Sequence, residues 1–139
     1  MSIKDRDQGS KGAFIQADVT STADLKNMVT HISKESGKID ILVNAAGINL
    51  RTSAEELTLE EWQKTIDINL TAPFYLSKLV AESMAKNNWG RIINIASIQS
   101  LRAFDNSIPY VASKGGIMQH TRALAQAYPK NGVLVNAIA

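Results

Sequence analysis

A chain of 139 residues has room for one modest domain and not for two. Its net charge of +2 is too small to point to nucleic acid or an anionic membrane as partner. The absence of cysteine excludes disulfides, thiolate chemistry and cysteine-ligated metals. No apolar run approaches the roughly 20 residues that cross a bilayer.

The first twelve residues, MSIKDRDQGSKG, are polar and carry no apolar signal segment. They read as a lead-in to one domain over 13–139, in a cytoplasmic protein. AFIQADV (Ala13 to Val19) is short and apolar-rich, which predicts a strand. In TSTADLKNMVTHISKESG, Leu25, Met28, Val29 and Ile32 mark one face of a helix, with Ser or Thr caps before it and Gly37 as its stop. IDILVNAAG follows, and its run of Ile39, Ile41, Leu42 and Val43 predicts a strand buried on both faces.

Thr58 and Glu61 have the spacing of a capping box, and Leu59, Trp62 and Ile66 give that helix its apolar face. Pro73 suits the first turn of the next helix, which runs on through Leu76, Leu79, Val80 and Met84. GRIINIAS (Gly90 to Ser97) is another buried-strand pattern. The helix PYVASKGGIMQHTRALAQAY stops at Pro129 and Gly132, and GVLVNAIA is a last strand. The alternation predicts an α/β fold of right-handed βαβ units, a mostly parallel sheet with helices on both faces. In such sheets ligands sit beyond the carboxyl ends of the strands. That edge holds Asp18 and Val19, Asn44 to Gly47, and the residues from Ser97 onward.

Tyr110 and Lys114, four apart, share a helix face. A free phenol, with a pKa of roughly 10, is a poor proton donor or base at neutral pH. A nearby ammonium favours the phenolate, so such a pair can serve as a tuned general acid or base. Taken alone, the pair reads equally as an ordinary tyrosine and lysine on an ordinary helix. Ser97, thirteen residues before Tyr110, ends a strand and reads alone as a turn former or as a hydroxyl for a substrate oxygen. In NAAG, Asn44 and Gly47 lie where the chain leaves the sheet, and glycine admits a ligand close to the backbone. Asn69, between two helical stretches, is either a cap for the second or a water-ordering group. His31 and His120 have no metal-ligand spacing, so no metal site is expected.

Together these features resemble the short-chain dehydrogenase/reductase family: Asp after the first strand, N-x-A-G after the second, Asn at a helix break, then Ser and Tyr-x-x-x-Lys. The resemblance runs from about Ala13 to Ala139 and implies a Rossmann-like fold. It implies NAD or NADP as cofactor and hydride transfer to or from a carbonyl or alcohol carbon. By the matching motifs Tyr110 would be the acid/base. Lys114 would lower its pKa and bind the nicotinamide ribose, Ser97 would orient the substrate oxygen, and Asn69 would support a water-mediated proton relay. Asp18 and Val19 would meet the adenine, and Asn44, Ala46 and Gly47 the adenosine ribose. The resemblance also implies a homodimer or homotetramer through helices 73–88 and 110–128. Gly115, Gly116, Ala123 and Ala127 would allow close packing there, or against the chain's own sheet.

Arg51, Gln99, Arg102 and Asn106 flank the expected substrate cavity and point to a polar substrate such as a sugar acid or polyol. The family's glycine-rich turn, T-G-x-x-x-G-x-G, has no counterpart in this sequence. GSKG (Gly9 to Gly12) precedes a strand instead of following one. The expected fold is therefore the central portion of the family's domain, without the first βα unit, the second strand and the C-terminal elements. Two functions compete: an oxidoreductase, and a catalytically inactive α/β fragment acting as a dimerising or binding module.

Overall fold

Three parallel strands in the order β1-β2-β3 form the sheet, joined by helical crossovers. The computed structural model describes residues 12–139, so the polar segment 1–12 and the GSKG glycines lie outside it except for Gly12. In chain order the elements are α1 (Thr22–Ser36), β1 (Ile41–Asn44), α2 (Leu59–Ile66), α3 (Ala72–Lys86), β2 (Gly90–Ile95), α4 (Ile108–Ala127) and β3 (Val133–Ile138). Ile41 pairs with Arg91, and Gly90 with Val133, which brings the ends of β1 and β2 to one edge.

Local signals account for the helix ends. Ser21 caps α1 by accepting from Asp24 N, and Gly37 ends it at φ 78°. At α2 the Thr58 side chain accepts from Glu61 N while Glu61 reaches back to Thr58 N, a complete capping box. Thr58→Ala is expected to lower stability by about 1 kcal/mol, read as a shift in urea midpoint at constant slope. An unchanged midpoint would show that the cap does not hold this helix.

The core lies on one face of the sheet. Leu42, Ile92, Val133 and Val135 meet Val80, Ala81 and Met84 of α3, Leu124 and Ala125 of α4, and Val29 of α1. A second cluster joins Leu25 to Ala72 and Leu76. Each fully buried side chain of this size contributes roughly 1.5–3 kcal/mol. The alternate residues of the strands point the other way: Ile41 (55%) and Val43 (52%) are exposed, as are Ile95, Leu134 and Ile138. Among the described residues the helices cover one face only. This corrects two expectations, that β1 is buried on both faces and that helices cover both. The apolar run is present, but coverage depends on what packs over it, and β1 is an edge strand.

Ala13–Val19 is not a strand, because no described strand pairs with it, and Val19 already lies in a turn. Its apolar pattern supplies side chains, whereas a strand needs a hydrogen-bonded ladder. Leu59, expected on the apolar face of α2, is 80% exposed at the helix's first position, leaving Trp62 and Ile66 half-buried. After α4 a 3-10 turn (Pro129–Asn131) leads to Gly132 at φ 66°, whose carbonyl accepts from Gly90 N at 3.3 Å and so ties the start of β3 to β2.

Candidate active site

Between α2 and α3 the helix does not break. Asp67–Thr71 is a π-helical turn, and Ala72 N donates to Asp67 O, five residues back. Asn69 sits inside this turn and caps nothing. It is fully buried: its Oδ1 accepts from Ile48 N at 2.8 Å, and its Nδ2 donates to Ile48 O at 2.8 Å and to Ser113 Oγ at 3.1 Å. Ser113 Oγ in turn donates to Tyr110 O at 2.7 Å. One chain of hydrogen bonds thus fastens the loop after β1 to the helix that carries Tyr110. Pro73 has no N–H, so a helical carbonyl four or five residues back, at Asn69 or Ile68, goes without its usual donor.

Lys114 is only 5% exposed, and its Nζ donates to Ile95 O, at the end of β2, at 2.6 Å. It lies 5.6 Å from the centre of the Tyr110 ring. Among the described residues no carboxylate pairs with it. Burial pushes its ammonium below the usual lysine range. A Cβ placed on Gly47 would stand 3.4 Å from Asn69 Oδ1 and 3.8 Å from Lys114 Nζ, so the turn after β1 passes directly over both. Gly47, Asn69, Tyr110 and Lys114 therefore converge at the sheet's carboxyl edge.

Ser97 stands at the same edge, where it caps the 3-10 turn Ile98–Ser100 by accepting from Gln99 N at 3.1 Å. That turn packs against α4. Gln99 is buried in it. Asn106 is an exposed residue at φ 54°, a left-handed position that asparagine tolerates before the start of α4. Gly116 is filled from within the chain, since a Cβ there would meet Leu70 Cδ2 at 2.8 Å, whereas Gly115 faces open space.

Except for Gly47, the residues expected to meet the adenosine fall in two clefts. Val19, Asn44 and Ala46 line one cleft of about 170 Å³ together with Val43, Ala45 and Ile68. Asp18 lies instead in a larger cleft of about 750 Å³ beside Lys64, Asp67 and Ile68, which reaches neither Tyr110 nor Lys114. The Asp18 carboxylate accepts from Thr20 N and Thr20 Oγ1, both at 2.8 Å, and these bonds hold it below the usual carboxylate range.

A buried polar ladder backs the N-x-A-G turn, and sequence reasoning missed it. Asn44 Nδ2 donates to Asn94 Oδ1 at 2.8 Å and to Ser77 Oγ at 3.3 Å. Asn94 Nδ2 donates to Thr121 Oγ1 at 2.9 Å, and Thr121 Oγ1 donates to Ile117 O at 2.7 Å. Its one visible signal is an asparagine in the apolar run RIINIA. Ser113 was missed too, although it sits one turn past Tyr110.

A family model for short chain dehydrogenases matches residues 2–139. The chain belongs to that family. One relative, an NAD-dependent glycerol dehydrogenase of Listeria innocua serovar 6a, is 36% identical over 129 residues, 93% of this chain and 51% of its own. A D-beta-hydroxybutyrate dehydrogenase of Cupriavidus necator is 37% identical over 131 residues, 94% of this chain and 51% of its own. Among solved structures, a 4-hydroxyisoleucine dehydrogenase complexed with NADH and succinate superposes with a TM-score of 0.85 at 36% identity, over 90% of this chain and 59% of that one. The chain thus spans about half the length of the curated relatives it matches. Among its described residues no helix is long and apolar enough to cross a membrane, and no three His, Cys, Asp or Glu side chains cluster as metal ligands.

Proposed function

We propose that the chain carries the proton-transfer centre of an NAD(P)-dependent oxidoreductase acting on a carbonyl or alcohol carbon. The observation behind this reading is Lys114, a buried ammonium with no described carboxylate partner, held beside the ring of Tyr110. A buried unpaired charge is a poor structural device. Next to a phenol it stabilises negative charge on the phenol oxygen as a proton leaves. In reduction Tyr110 gives its proton to the substrate oxygen, and in oxidation it takes that proton back. Ser97 orients the same oxygen.

The turn after β1 fits a dinucleotide. Ala45, Ala46 and Gly47 leave the backbone open, and Asn44 Oδ1 is a buried acceptor without a protein partner, suited to a ribose hydroxyl. Asp18, Val19, Asn44, Ala46, Gly47, Tyr110 and Lys114 would hold the cofactor. When bound, its nicotinamide supplies or receives the hydride. The side chain of Asn69 is committed to Ile48 and Ser113. A relay water would therefore meet the backbone carbonyl that Pro73 leaves free. The substrate is a small carbonyl or alcohol, with a polyol or sugar acid favoured by the polar loop residues and by the glycerol dehydrogenase relative. The outer faces of α3 and α4, with Phe74 exposed and Gly115 open, would join two copies. A second reading, an inactive fragment that dimerises or binds, is favoured by the bare apolar sheet face.

Titration of the chain with NADH and NADPH, followed by nicotinamide fluorescence, separates the two. Saturation near roughly micromolar cofactor supports the oxidoreductase, and none up to roughly millimolar supports the fragment. Lys114→Met is expected to abolish that saturation and to raise stability. Because its folded pKa lies below its unfolded one, the native state sheds the proton first. Stability should therefore climb as pH rises from the depressed folded value to the unfolded one. Melting temperatures of the two proteins across that window check the sign: the climb should vanish in the variant.

A further inference from the structure

Five buried side-chain atoms among the described residues have no hydrogen-bond partner in the protein: Asn44 Oδ1, Asn49 Oδ1, Gln99 Oε1, Ser100 Oγ and His120 Nε2. Folded proteins keep such atoms few. Asn44 Oδ1 is the one that ends a row of hydrogen bonds. Asn44 and Asn94 are register partners, and strand alternation puts them on the helix-covered face with Leu42 and Ile92. An amide has a donor end and an acceptor end, so two facing amides can run either way. The far end of the row decides. Ile117 O is a backbone carbonyl and can only accept. Thr121 Oγ1 gives it its one proton at 2.7 Å and so offers Asn94 only lone pairs. Asn94 then turns Nδ2 to Thr121, at 2.9 Å, and Oδ1 to Asn44. Asn44 turns Nδ2 to Asn94 Oδ1 and Ser77 Oγ, and its own Oδ1 is left over. Reversing both amides would call the hydroxyl proton to Asn94 Oδ1 and forfeit the bond to Ile117 O.

We infer that Thr121 is a positioning residue: through Asn94 it fixes which way round Asn44 stands, so that the N-x-A-G turn keeps an acceptor, and not a donor, for its ligand. Asn44 lines the cleft of about 170 Å³ with Val19, Val43 and Ala46, whereas Thr121 does not. Thr121 acts only at the end of the row. Helix α4 thereby has two tasks. Its first turns carry Tyr110 and Lys114, and two turns after Lys114 it sets the amide of a turn on another strand. The inference rests on the oxidoreductase reading for its ligand, a ribose hydroxyl. The direction of the amides follows from the row itself.

The first test needs no variant. In the isotope-labelled 139-residue chain, NMR is expected to show a scalar coupling across the hydrogen bond from Asn44 Nδ2 to the side-chain carbonyl carbon of Asn94. A coupling the other way, from Asn94 Nδ2 to the side-chain carbonyl carbon of Asn44, would overturn the inference. The second test is Asn44→Asp. Its carboxyl faces the oxygen of Asn94 and should titrate well above the usual carboxylate range. Adding Thr121→Val frees Asn94 to turn its Nδ2 round, and the carboxyl should then titrate about one pH unit lower. Adding Thr121→Ser, which keeps the hydroxyl, should leave it high. The same titration in all three proteins would remove Thr121 from the row. With cofactor, Thr121→Val should weaken NADH binding about tenfold and leave reduced nicotinamide mononucleotide, which lacks the adenosine, unaffected. Thr121→Ser should bind NADH as the parent does. Equal weakening of both nucleotides would mark a merely structural threonine and overturn the positioning role. A parent chain that binds no NADH would count against the oxidoreductase, whereas the coupling and the titrations, read without cofactor, decide the direction of the amides.

Discussion

Tyr110→Phe is expected to cut turnover by about 10²- to 10⁴-fold, the range supplied by a positioned general acid or base. The fold should not notice. What ties Tyr110 to its surroundings is its backbone carbonyl, which accepts from Ser113 Oγ at 2.7 Å, and its ring, 5.6 Å from Lys114 Nζ. Neither involves the phenol oxygen, and phenylalanine keeps both. Loss of turnover with an unchanged melting temperature and unchanged NADH affinity is therefore the specific signature. A drop in KM and kcat together would mean that the hydroxyl had only strained the bound substrate. Turnover within twofold of the parent would remove Tyr110 from the proton path.

The largest structural effect should come from Gly132→Ala. A Cβ there would stand 2.8 Å from the carbonyl carbon of Asn88 and overlap its oxygen, both backbone atoms that cannot swing aside. Asn88 is itself held at φ 54°, and the neighbouring Trp89 N donates to Met84 O at 3.1 Å. The left-handed φ of Gly132 adds roughly 1–2 kcal/mol for any residue with a Cβ. Together the overlap and the strain should cost about 3–5 kcal/mol. Gly37→Ala is the matched control, since its φ is 78° but nothing lies within 4 Å of the added carbon. It should lose only the strain, roughly 1–2 kcal/mol. Urea unfolding of both variants gives the difference, and near-equal losses would show that the Asn88 peptide yields easily.

Most of the fold was legible because its signals are local. The Thr58–Glu61 box, the Gly37 and Gly132 stops and the apolar stripe from Leu76 to Met84 each need only a few neighbouring residues. Ala13–Val19 misled because a strand is a property of a pair, and no described strand lies beside it. Ile41 and Val43 misled because burial is decided by distant segments. The site divides in the same way. That Tyr110, Lys114, Ser97 and Gly47 meet at one sheet edge was readable from spacing and order along the chain. The ladder from Asn44 through Asn94 to Thr121 was not, since its first two members are 50 residues apart and one asparagine in an apolar run has no period. The same holds for Asn49 and Ser100, whose buried oxygens are exceptional only once their surroundings are known.

The π-helical turn at Asp67–Thr71 makes the length of a segment part of the site. Such a turn takes up one residue more than an α-helical turn, which rotates everything after it by about 100° relative to a regular helix. Thr65 before the turn and Leu76, Val80 and Met84 after it all face inward with that offset in place. Deleting one residue between 67 and 71 would give a more regular helix and swing the buried side of α3 out of phase with the sheet. A substitution on the outer surface of this stretch changes one side chain, whereas an insertion or deletion changes the address of every residue beyond it.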